Sequence, residues 1–194
     1  MNLKYNLEII TGPMFAGKTT KIIELYSKYN PKETLVLNHS FDNRYFGDNN
    51  VISSHIKECI PCNKFNSCDD IQKYINTLNN FDNITTIFID ECQFFTEINQ
   101  LCNLINNNYK NIKNIYLAGL NLDASGNIFN NEFNELFKYA NTVYYLEARC
   151  YKCNNPAQYS ICLINKNFSQ DNVLVGDKEI YQPSCKEHIN FELK

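Results

Sequence analysis

Four residues near the N-terminus have the types and the spacing of a phosphate-binding loop. The stretch GPMFAGKT contains Gly12, Gly17, Lys18 and Thr19 in the pattern G-x-x-x-x-G-K-[ST]. The glycines let successive backbone N–H groups curl around a phosphate, Lys18 adds a full positive charge, and the Thr19 hydroxyl is a ligand for Mg²⁺. An ordinary glycine turn with an exposed lysine would explain neither the second glycine nor the threonine. The stretch therefore predicts a phosphate site.

Two adjacent acids, Asp90 and Glu91, end the apolar run in TTIFIDECQFF. Asp90 stands at the carboxyl end of a predicted strand, where P-loop proteins place the acid that holds Mg²⁺. Neighbouring residues at a strand end point in different directions, so Glu91 can face the cleft as a general base. A base is needed if a γ-phosphate passes to a hydroxyl, whereas hydrolysis needs only an oriented water. The alternative is that both acids cap the following helix.

Four potential metal ligands lie near the C-terminus. CYKC contains Cys150 and Cys153, and CKEH contains Cys185 and His188. Two such pairs separated by a spacer are typical of a closed tetrahedral Zn²⁺ site. Because all four ligands come from the protein, the pattern favours a structural ion over a catalytic one.

A second group of cysteines has no matching pair. Cys59 and Cys62 form CIPC, and Cys68 follows nearby. A fourth ligand at suitable spacing exists only if His55 joins them. Free thiols are the favoured interpretation, and a second metal site is the alternative.

These motifs need a scaffold that alternates strands with helices. Short, continuously apolar segments rich in β-branched residues predict strands at 7–11, 34–37, 85–89, 115–118 and 143–146. Apolar residues spaced three and four apart predict helices at 18–29, 69–78, 97–106 and 132–140. The alternation predicts an α/β fold with a parallel sheet and helices on both faces. A shift to closely spaced Cys, Pro and Gly predicts two domains, 1–148 and 149–194.

Composition narrows the class of protein. The 194 residues contain 18 Lys+Arg and 21 Asp+Glu, and this net charge of −3 does not indicate a broad nucleic-acid surface. The sequence contains no long apolar run of a signal or membrane-spanning segment, so we expect a soluble, cytoplasmic protein. The odd count of 9 cysteines then favours metal ligands and free thiols over disulfides.

Taken in order, the motifs resemble those of the zinc-containing (type II) thymidine kinases. The match covers almost the whole chain, from Leu7 to His188, and the shared segments are GPMFAGKT, DNRY, ISSH, DECQFF, AGL, CYKC and GDKEIYQPSCKEH. The resemblance implies a P-loop, RecA-like α/β domain with a small C-terminal zinc-binding lasso. It implies transfer of the ATP γ-phosphoryl group to the 5′-hydroxyl of thymidine, with Mg²⁺ and a structural Zn²⁺. It further implies feedback inhibition by dTTP and a homotetramer.

The resemblance also implies roles for individual residues. Glu91 is the base, Lys18 acts on the phosphates, and Arg44 stabilises charge on the transferring group. ATP and Mg²⁺ are held by Gly12, Pro13, Met14, Phe15, Ala16, Gly17, Lys18, Thr19, Thr20 and Asp90. Zinc is held by Cys150, Cys153, Cys185 and His188. The nucleoside contacts Met14, Asp42, Glu91, Phe94, Leu120, Phe129, Ser160, Val173, Leu174, Val175, Gly176 and Tyr181.

Three positions depart from the family pattern. Ala124 stands where members commonly have a pocket phenylalanine, and Cys162 stands where many have an arginine. The paired glycines before the lasso tyrosine are reduced to Gly176. We therefore expect an active kinase with altered efficiency or looser selection of the base.

Other classes of protein fit the residues less well. A zinc-ribbon ATPase acting on nucleic acid would need basic clusters and aromatic platforms, and the acidic balance argues against it. A GTPase would need a guanine-reading N-K-x-D motif, which the sequence lacks. A non-enzymatic zinc-binding module would not explain the presence of Glu91 beside Asp90. Another P-loop phosphotransferase remains the nearest alternative.

Overall fold

The centre of the molecule is a six-stranded parallel sheet. The structure is a computed structural model and describes residues 2–42, 51–53, 58–163 and 179–189. The strands before the C-terminal part, in chain order, are β1 (Asn6–Thr11), β2 (Thr34–His39), β3 (Val51–Ser53), β4 (Cys59–Pro61), β5 (Asn63–Phe65), β6 (Thr86–Ile89), β7 (Asn114–Gly119) and β8 (Thr142–Tyr145). The sheet has the order β5-β2-β6-β7-β1-β8, and β3 pairs with β4 in a separate hairpin.

Alternate side chains along each central strand enter different halves of the core. Because side chains on a strand point to opposite faces in turn, a continuously apolar strand must be covered on both sides. One face contributes Leu7, Ile9, Leu35, Leu37, Ile87, Ile89, Ile115 and Leu117. The opposite face contributes Ile10, Val36, Phe88, Tyr116 and Ala118.

Helices cover both faces. They are α1 (Lys18–Tyr26), α2 (Cys68–Thr77), α3 (Ile98–Asn108) and α4 (Asn131–Leu136). Helix α1 buries Ile22 and Leu25 on one face of the sheet, together with residues of the β3–β4 hairpin. The other three helices pack on the opposite face. The start of α2 is stabilised by Ser67, whose side chain accepts a hydrogen bond from the Asp70 N–H.

The C-terminal part consists of short antiparallel strands. They are β9 (Ala148–Arg149), β10 (Pro156–Ala157), β11 (Tyr159–Cys162) and β12 (Tyr181–Ser184), paired as β9–β10 and β11–β12. A small apolar cluster forms here from Ala148, Cys150, Ala157 and Cys185, and Ala16 of the phosphate loop packs against it. The division into domains at residues 148 and 149 stays a prediction.

The predicted fold class is confirmed. All five predicted strands and four predicted helices are present within a few residues of their predicted ends. The helix predicted at 132–140 is shorter, because the α-helix gives way to a 3₁₀ turn at Phe137–Tyr139. The short strands β3, β4 and β5 were not predicted.

Within the described ranges, no helix is both long and apolar enough to cross a membrane.

Candidate active site and metal centre

The phosphate loop connects the carboxyl end of β1 to the first residue of α1. Gly12 has φ 145° and Gly17 has φ 85°, values that suit glycine. A Cβ atom on Gly12 would also overlap the carbonyl oxygen of Leu146, which follows β8. Gly12 is therefore required both by its backbone angle and by the close approach of the Leu146 main chain.

Lys18 lies over the loop that precedes it. Its Nζ donates hydrogen bonds to the carbonyl oxygens of Gly12 at 3.1 Å and Pro13 at 2.8 Å. Because α1 begins at Lys18, the positive end of its helix dipole lies at the same loop. The ammonium group and the helix N-terminus together make the loop suitable for an anion.

Thr19 and Asp90 meet at the carboxyl edge of the sheet. The Thr19 hydroxyl donates to Asp90 Oδ2 at 3.0 Å, and the Glu91 N–H donates to Asp90 Oδ1 at 2.9 Å. Asp90 is only 1% exposed. Two oxygen ligands of one octahedral Mg²⁺ lie about 2.9 Å apart, given Mg–O distances of about 2.0–2.1 Å. The spacing of the Thr19 and Asp90 oxygens is therefore compatible with two neighbouring ligand positions of a magnesium ion.

Glu91 has an unusual backbone conformation. It adopts φ 56° and ψ 38°, the left-handed region that a glutamate rarely occupies. Such strain costs about 1–3 kcal/mol and is concentrated at functional sites. Its carboxylate Oε2 accepts a hydrogen bond from Gln93 Nε2 at 2.5 Å.

Aromatic rings form a wall that begins three residues after Glu91. Phe94 contacts Phe41 and Phe129 edge to face, at centroid distances of 5.4 Å and 5.6 Å. His39 lies behind this wall, 5.5 Å from Phe94 and 4.7 Å from Phe41. Phe41 is 48% exposed, so the wall has an apolar surface open to solvent.

His39 is a neutral imidazole in this packing. Its Nδ1 accepts a hydrogen bond from the Phe41 N–H at 3.1 Å, which leaves Nε2–H to donate to the Asn66 carbonyl at 3.2 Å. Burial lowers the pKa of His39, against the hydrogen bond to Asn66 and the negative charge of Glu91, which raise it. His39 therefore has a structural role, because its hydrogen bonds hold the loop that leads to Asp42.

The four predicted metal ligands come together. One ligand atom from each of Cys150, Cys153, Cys185 and His188 lies within 4.8 Å of the others. Cys153 Sγ is 3.7 Å from Cys185 Sγ, and His188 Nδ1 is 3.7 Å from Cys150 Sγ and 3.3 Å from Cys185 Sγ. Tetrahedral Zn²⁺ with Zn–S near 2.3 Å and Zn–N near 2.05 Å separates ligands by about 3.6–3.8 Å. Two of these distances match zinc, and the contact between Cys185 and His188 is somewhat shorter, so the donor set can hold the ion after a small adjustment.

The pKa of Cys150 favours a thiolate ligand. Burial raises the pKa of Cys150, but hydrogen bonds from the backbone of Cys185, Cys153 and Lys152 outweigh burial and lower it. A backbone hydrogen bond from Asn155 lowers the pKa of the neighbouring Cys153, but burial and the contacts with Cys185 and Cys150 raise it overall. Only the thiolate form binds zinc.

The other cysteines do not form a comparable group. Cys59 is exposed, whereas Cys62 and Cys68 are buried. Burial raises the pKa of the Cys62 thiol to about 11 and that of Cys68 to about 12, which keeps both protonated at neutral pH. Across the described part of the chain, the Cys150 group is the one cluster of this kind, and His55 lies outside that part.

Comparison with known proteins identifies the family. The family model described as "Thymidine kinase" matches residues 5–189, which is almost the whole chain. The chain belongs to the thymidine kinase family. A thymidine kinase of Amsacta moorei entomopoxvirus is 34% identical over 185 residues, covering 93% of this chain and 96% of the relative. A thymidine kinase of Ureaplasma urealyticum is 32% identical over 188 residues, covering 94% and 81%.

The structure places several residues that the resemblance to this kinase family assigns to the nucleoside. Asp42 is buried and accepts a hydrogen bond from Asn38 Nδ2 at 2.9 Å. The Leu120 N–H donates to Gln93 Oε1 at 3.0 Å. Tyr181, on β12, is partly buried, and this burial raises its pKa. Arg44, Val173, Leu174, Val175 and Gly176 lie outside the described residues.

Ser160 connects the C-terminal part to the phosphate loop. It is 5% exposed, and its hydroxyl accepts a hydrogen bond from the Met14 N–H at 2.9 Å. Ser160 therefore supports the loop from outside. Ala124, the departure from the kinase family pattern, lies half-buried in the turn between the bridged residues Leu122 and Ile128.

Three supporting side chains of this kinase site were not singled out from the sequence. Gln93 contacts Glu91, Asn38 contacts Asp42, and His39 packs behind Phe94. Gln93 stands in the DECQFF motif, two residues after the predicted base, and that position is a signal that could have identified it.

Proposed function

We propose that this chain is an ATP-dependent thymidine kinase that transfers the γ-phosphoryl group to the 5′-hydroxyl of thymidine. The observation that carries the proposal is the cluster of Lys18, Thr19, Asp90 and Glu91 at one edge of the sheet. It combines a phosphate loop, oxygen ligands for a metal ion and a second carboxylate. The family membership of the chain supports thymidine as the acceptor.

Different residues of the chain have different roles in the proposed reaction. The loop from Gly12 to Thr20 binds the ATP phosphates, and Lys18 exchanges its contacts with Gly12 and Pro13 for the phosphate oxygens. Thr19 and Asp90 would hold Mg²⁺, which would supply positive charge against the phosphates. Glu91 accepts the proton of the thymidine 5′-hydroxyl while the oxygen of that hydroxyl attacks the γ-phosphorus. The bond from the γ-phosphorus to the bridging oxygen breaks, and ADP leaves. Arg44 is proposed to stabilise charge on the transferring group.

The aromatic wall supports recognition of a nucleoside. Phe94 lies three residues after Glu91 and, together with Phe129, offers an apolar surface. Aromatic side chains of this type stack favourably on flat nucleobases. Tyr181 and the segment 173–176 are proposed to cover the nucleoside from the C-terminal part. The dTTP inhibition, the homotetramer and a cytoplasmic location are proposed from the resemblance.

The Cys150, Cys153, Cys185 and His188 group is proposed to hold one structural Zn²⁺ per chain. A closed set of four protein ligands leaves no position for a substrate. The ion would connect the ends of β9 and β12, which in the sequence precede and follow the segment proposed to cover the nucleoside.

A panel of acceptors tests the function. With ATP and Mg²⁺, we expect phosphorylation of thymidine, and the rates with deoxyuridine, deoxycytidine and purine deoxynucleosides measure how far selection of the base is loosened. Radiolabelled ATP gives the product directly. If no nucleoside is phosphorylated while single-stranded DNA stimulates ATP turnover, the chain is instead a nucleic-acid-dependent ATPase.

Replacing Lys18 with alanine should weaken both nucleotide binding and turnover. The ammonium group faces the phosphates before and during transfer, so its loss affects both states. We expect at least about a tenfold loss in nucleotide affinity, since a hydrogen bond to a charged group contributes about 1.5–3 kcal/mol. Calorimetric titration with a non-hydrolysable ATP analogue measures it.

Lys21→Ala is the matched control for that substitution. Lys21 lies one turn further along α1 and forms an ion pair with Glu24 at 2.9 Å. This variant should bind the analogue like the unmodified protein. Normal binding by Lys18→Ala would contradict the assignment of the loop.

A further inference from the structure

Gln93 is a buried side chain that connects Glu91 to the central sheet. It is 3% exposed, and its carboxamide contacts Glu91 Oε2 through Nε2 and the Leu120 N–H through Oε1. A backbone N–H can only donate, so Leu120 fixes which end of the amide is the oxygen. The Nε2 group must then point at Glu91, where it is a donor to the carboxylate.

The surroundings leave Gln93 little room to move. Asn130 Nδ2 donates to the main-chain carbonyl oxygens of Gln93 at 3.2 Å and Phe95 at 2.9 Å, which holds the 3₁₀ turn at Cys92–Phe94. A Cβ atom on Gly119 would lie 2.8 Å from Gln93 Oε1 and 3.1 Å from its backbone nitrogen. The last residue of β7 therefore needs to be glycine for the amide to occupy this place.

We propose that Gln93 is a positioning residue that holds the Glu91 carboxylate in the orientation needed to accept the 5′-hydroxyl proton. The inference rests on the proposed function, in which Glu91 is the base. A glutamate side chain has three rotatable bonds, and a base must lie within hydrogen-bond reach of the proton that it takes. A carboxylate oxygen has more than one acceptor position, so the Gln93 contact does not prevent proton transfer.

The contact also completes a chain of hydrogen bonds across the site. The chain passes from Thr19 to Asp90, from Asp90 to the Glu91 backbone, and from the Glu91 carboxylate through Gln93 to Leu120. It joins the end of α1 that faces the phosphates to the end of β7. The distance between the phosphate loop and the base is thereby set by side chains attached to rigid elements.

Two substitutions test the inference. Gln93→Met keeps the length of the side chain and removes both hydrogen bonds, whereas Gln93→Glu keeps an acceptor for Leu120 and removes the amide donor to Glu91. We expect kcat to fall about 10- to 100-fold in each, the effect of a small misplacement of a reacting group. The KM values for ATP and thymidine should change by no more than about twofold, because neither substrate contacts Gln93 in this proposal. Thermal melting of each variant monitors folding.

A double-mutant cycle separates positioning from a general structural role. In a Glu91→Gln background, either Gln93 substitution should lower kcat by less than about threefold more, because the group being positioned no longer acts. Full additivity, or a rise in KM with kcat unchanged, would overturn the inference. If the Gln93→Met variant does not fold, the kcat of the Gln93→Glu variant in the two backgrounds decides whether Gln93 positions Glu91.

The same data distinguish this inference from the proposed function. If Glu91→Gln alone retains full activity, then Glu91 is not the base and both proposals about it fail. If Glu91→Gln loses activity while a folded Gln93→Glu retains its kcat, the base assignment stands and only the role of Gln93 is rejected.

Discussion

Glu91→Gln is expected to lower kcat by about 10²- to 10⁴-fold, the usual contribution of a general base. The amide has nearly the same shape as the carboxylate but cannot accept the 5′-hydroxyl proton. Affinity for ATP should change little, since Asp90 and Thr19 remain in contact with each other. Single-turnover phosphorylation of thymidine, together with calorimetric titration of the nucleotide, measures both quantities.

Glu97→Gln is a close control within the same chain. Glu97 also has a left-handed backbone conformation, with φ 64°, but it is exposed at the start of α3. This variant should retain normal kcat. A fully active Glu91→Gln enzyme would transfer the role of base to another carboxylate, and Asp42 would be the next candidate.

Removal of the proposed zinc ion should abolish both nucleotide binding and phosphorylation. Structural zinc contributes about 10–16 kcal/mol to the folding of small domains at neutral pH, and the short strands around it bury little apolar area of their own. Ala16 packs on the apolar cluster beside the ligands, and Ser160 supports the Met14 N–H. We therefore expect the phosphate loop to lose its support when the metal is lost. Nucleotide titration before and after chelation tests this.

Metal analysis provides the control for the zinc prediction. The intact chain should contain one zinc, Cys185→Ala should lose it, and Cys59→Ser should retain it, because Cys59 is exposed and lies outside the ligand group. Zinc-free protein with full activity would contradict the prediction. Two zinc ions per chain would instead indicate a second site at Cys59 and Cys62.

The sequence was sufficient to predict the placement of site residues wherever a short local motif determines their position in the fold. The phosphate loop follows one strand and Asp90 ends another, and parallel strands bring both to the same edge of the sheet. The contact between Thr19 and Asp90 follows from that rule. The metal ligands were equally predictable, because each short pair already fixes two ligands in one turn.

Other features of the site depend on tertiary packing that no local pattern records. Ser160 contacts Met14 across 146 residues of sequence, and Gln93 contacts Leu120 across 27. The left-handed conformation of Glu91 contradicts the preference of its residue type, so propensity could not predict it. Strands β3, β4 and β5 have 3 residues each, too few to show an alternating pattern.

The order of strands in the sheet has a consequence for synthesis of the chain on the ribosome. Strand β1 is made before the other described strands, but among these it pairs with β7 and β8 alone, and Thr11 is 108 residues away from its partner Gly119. At translation rates of about 5–20 residues per second, β1 remains unpaired for roughly 5–20 s after it is made. During that interval Leu7, Ile9 and Ile10 are available to chaperones and to aggregation, whereas β2, β5 and β6 can already pair with one another. The phosphate loop thus acquires its final shape late in synthesis, after most of the chain has been made.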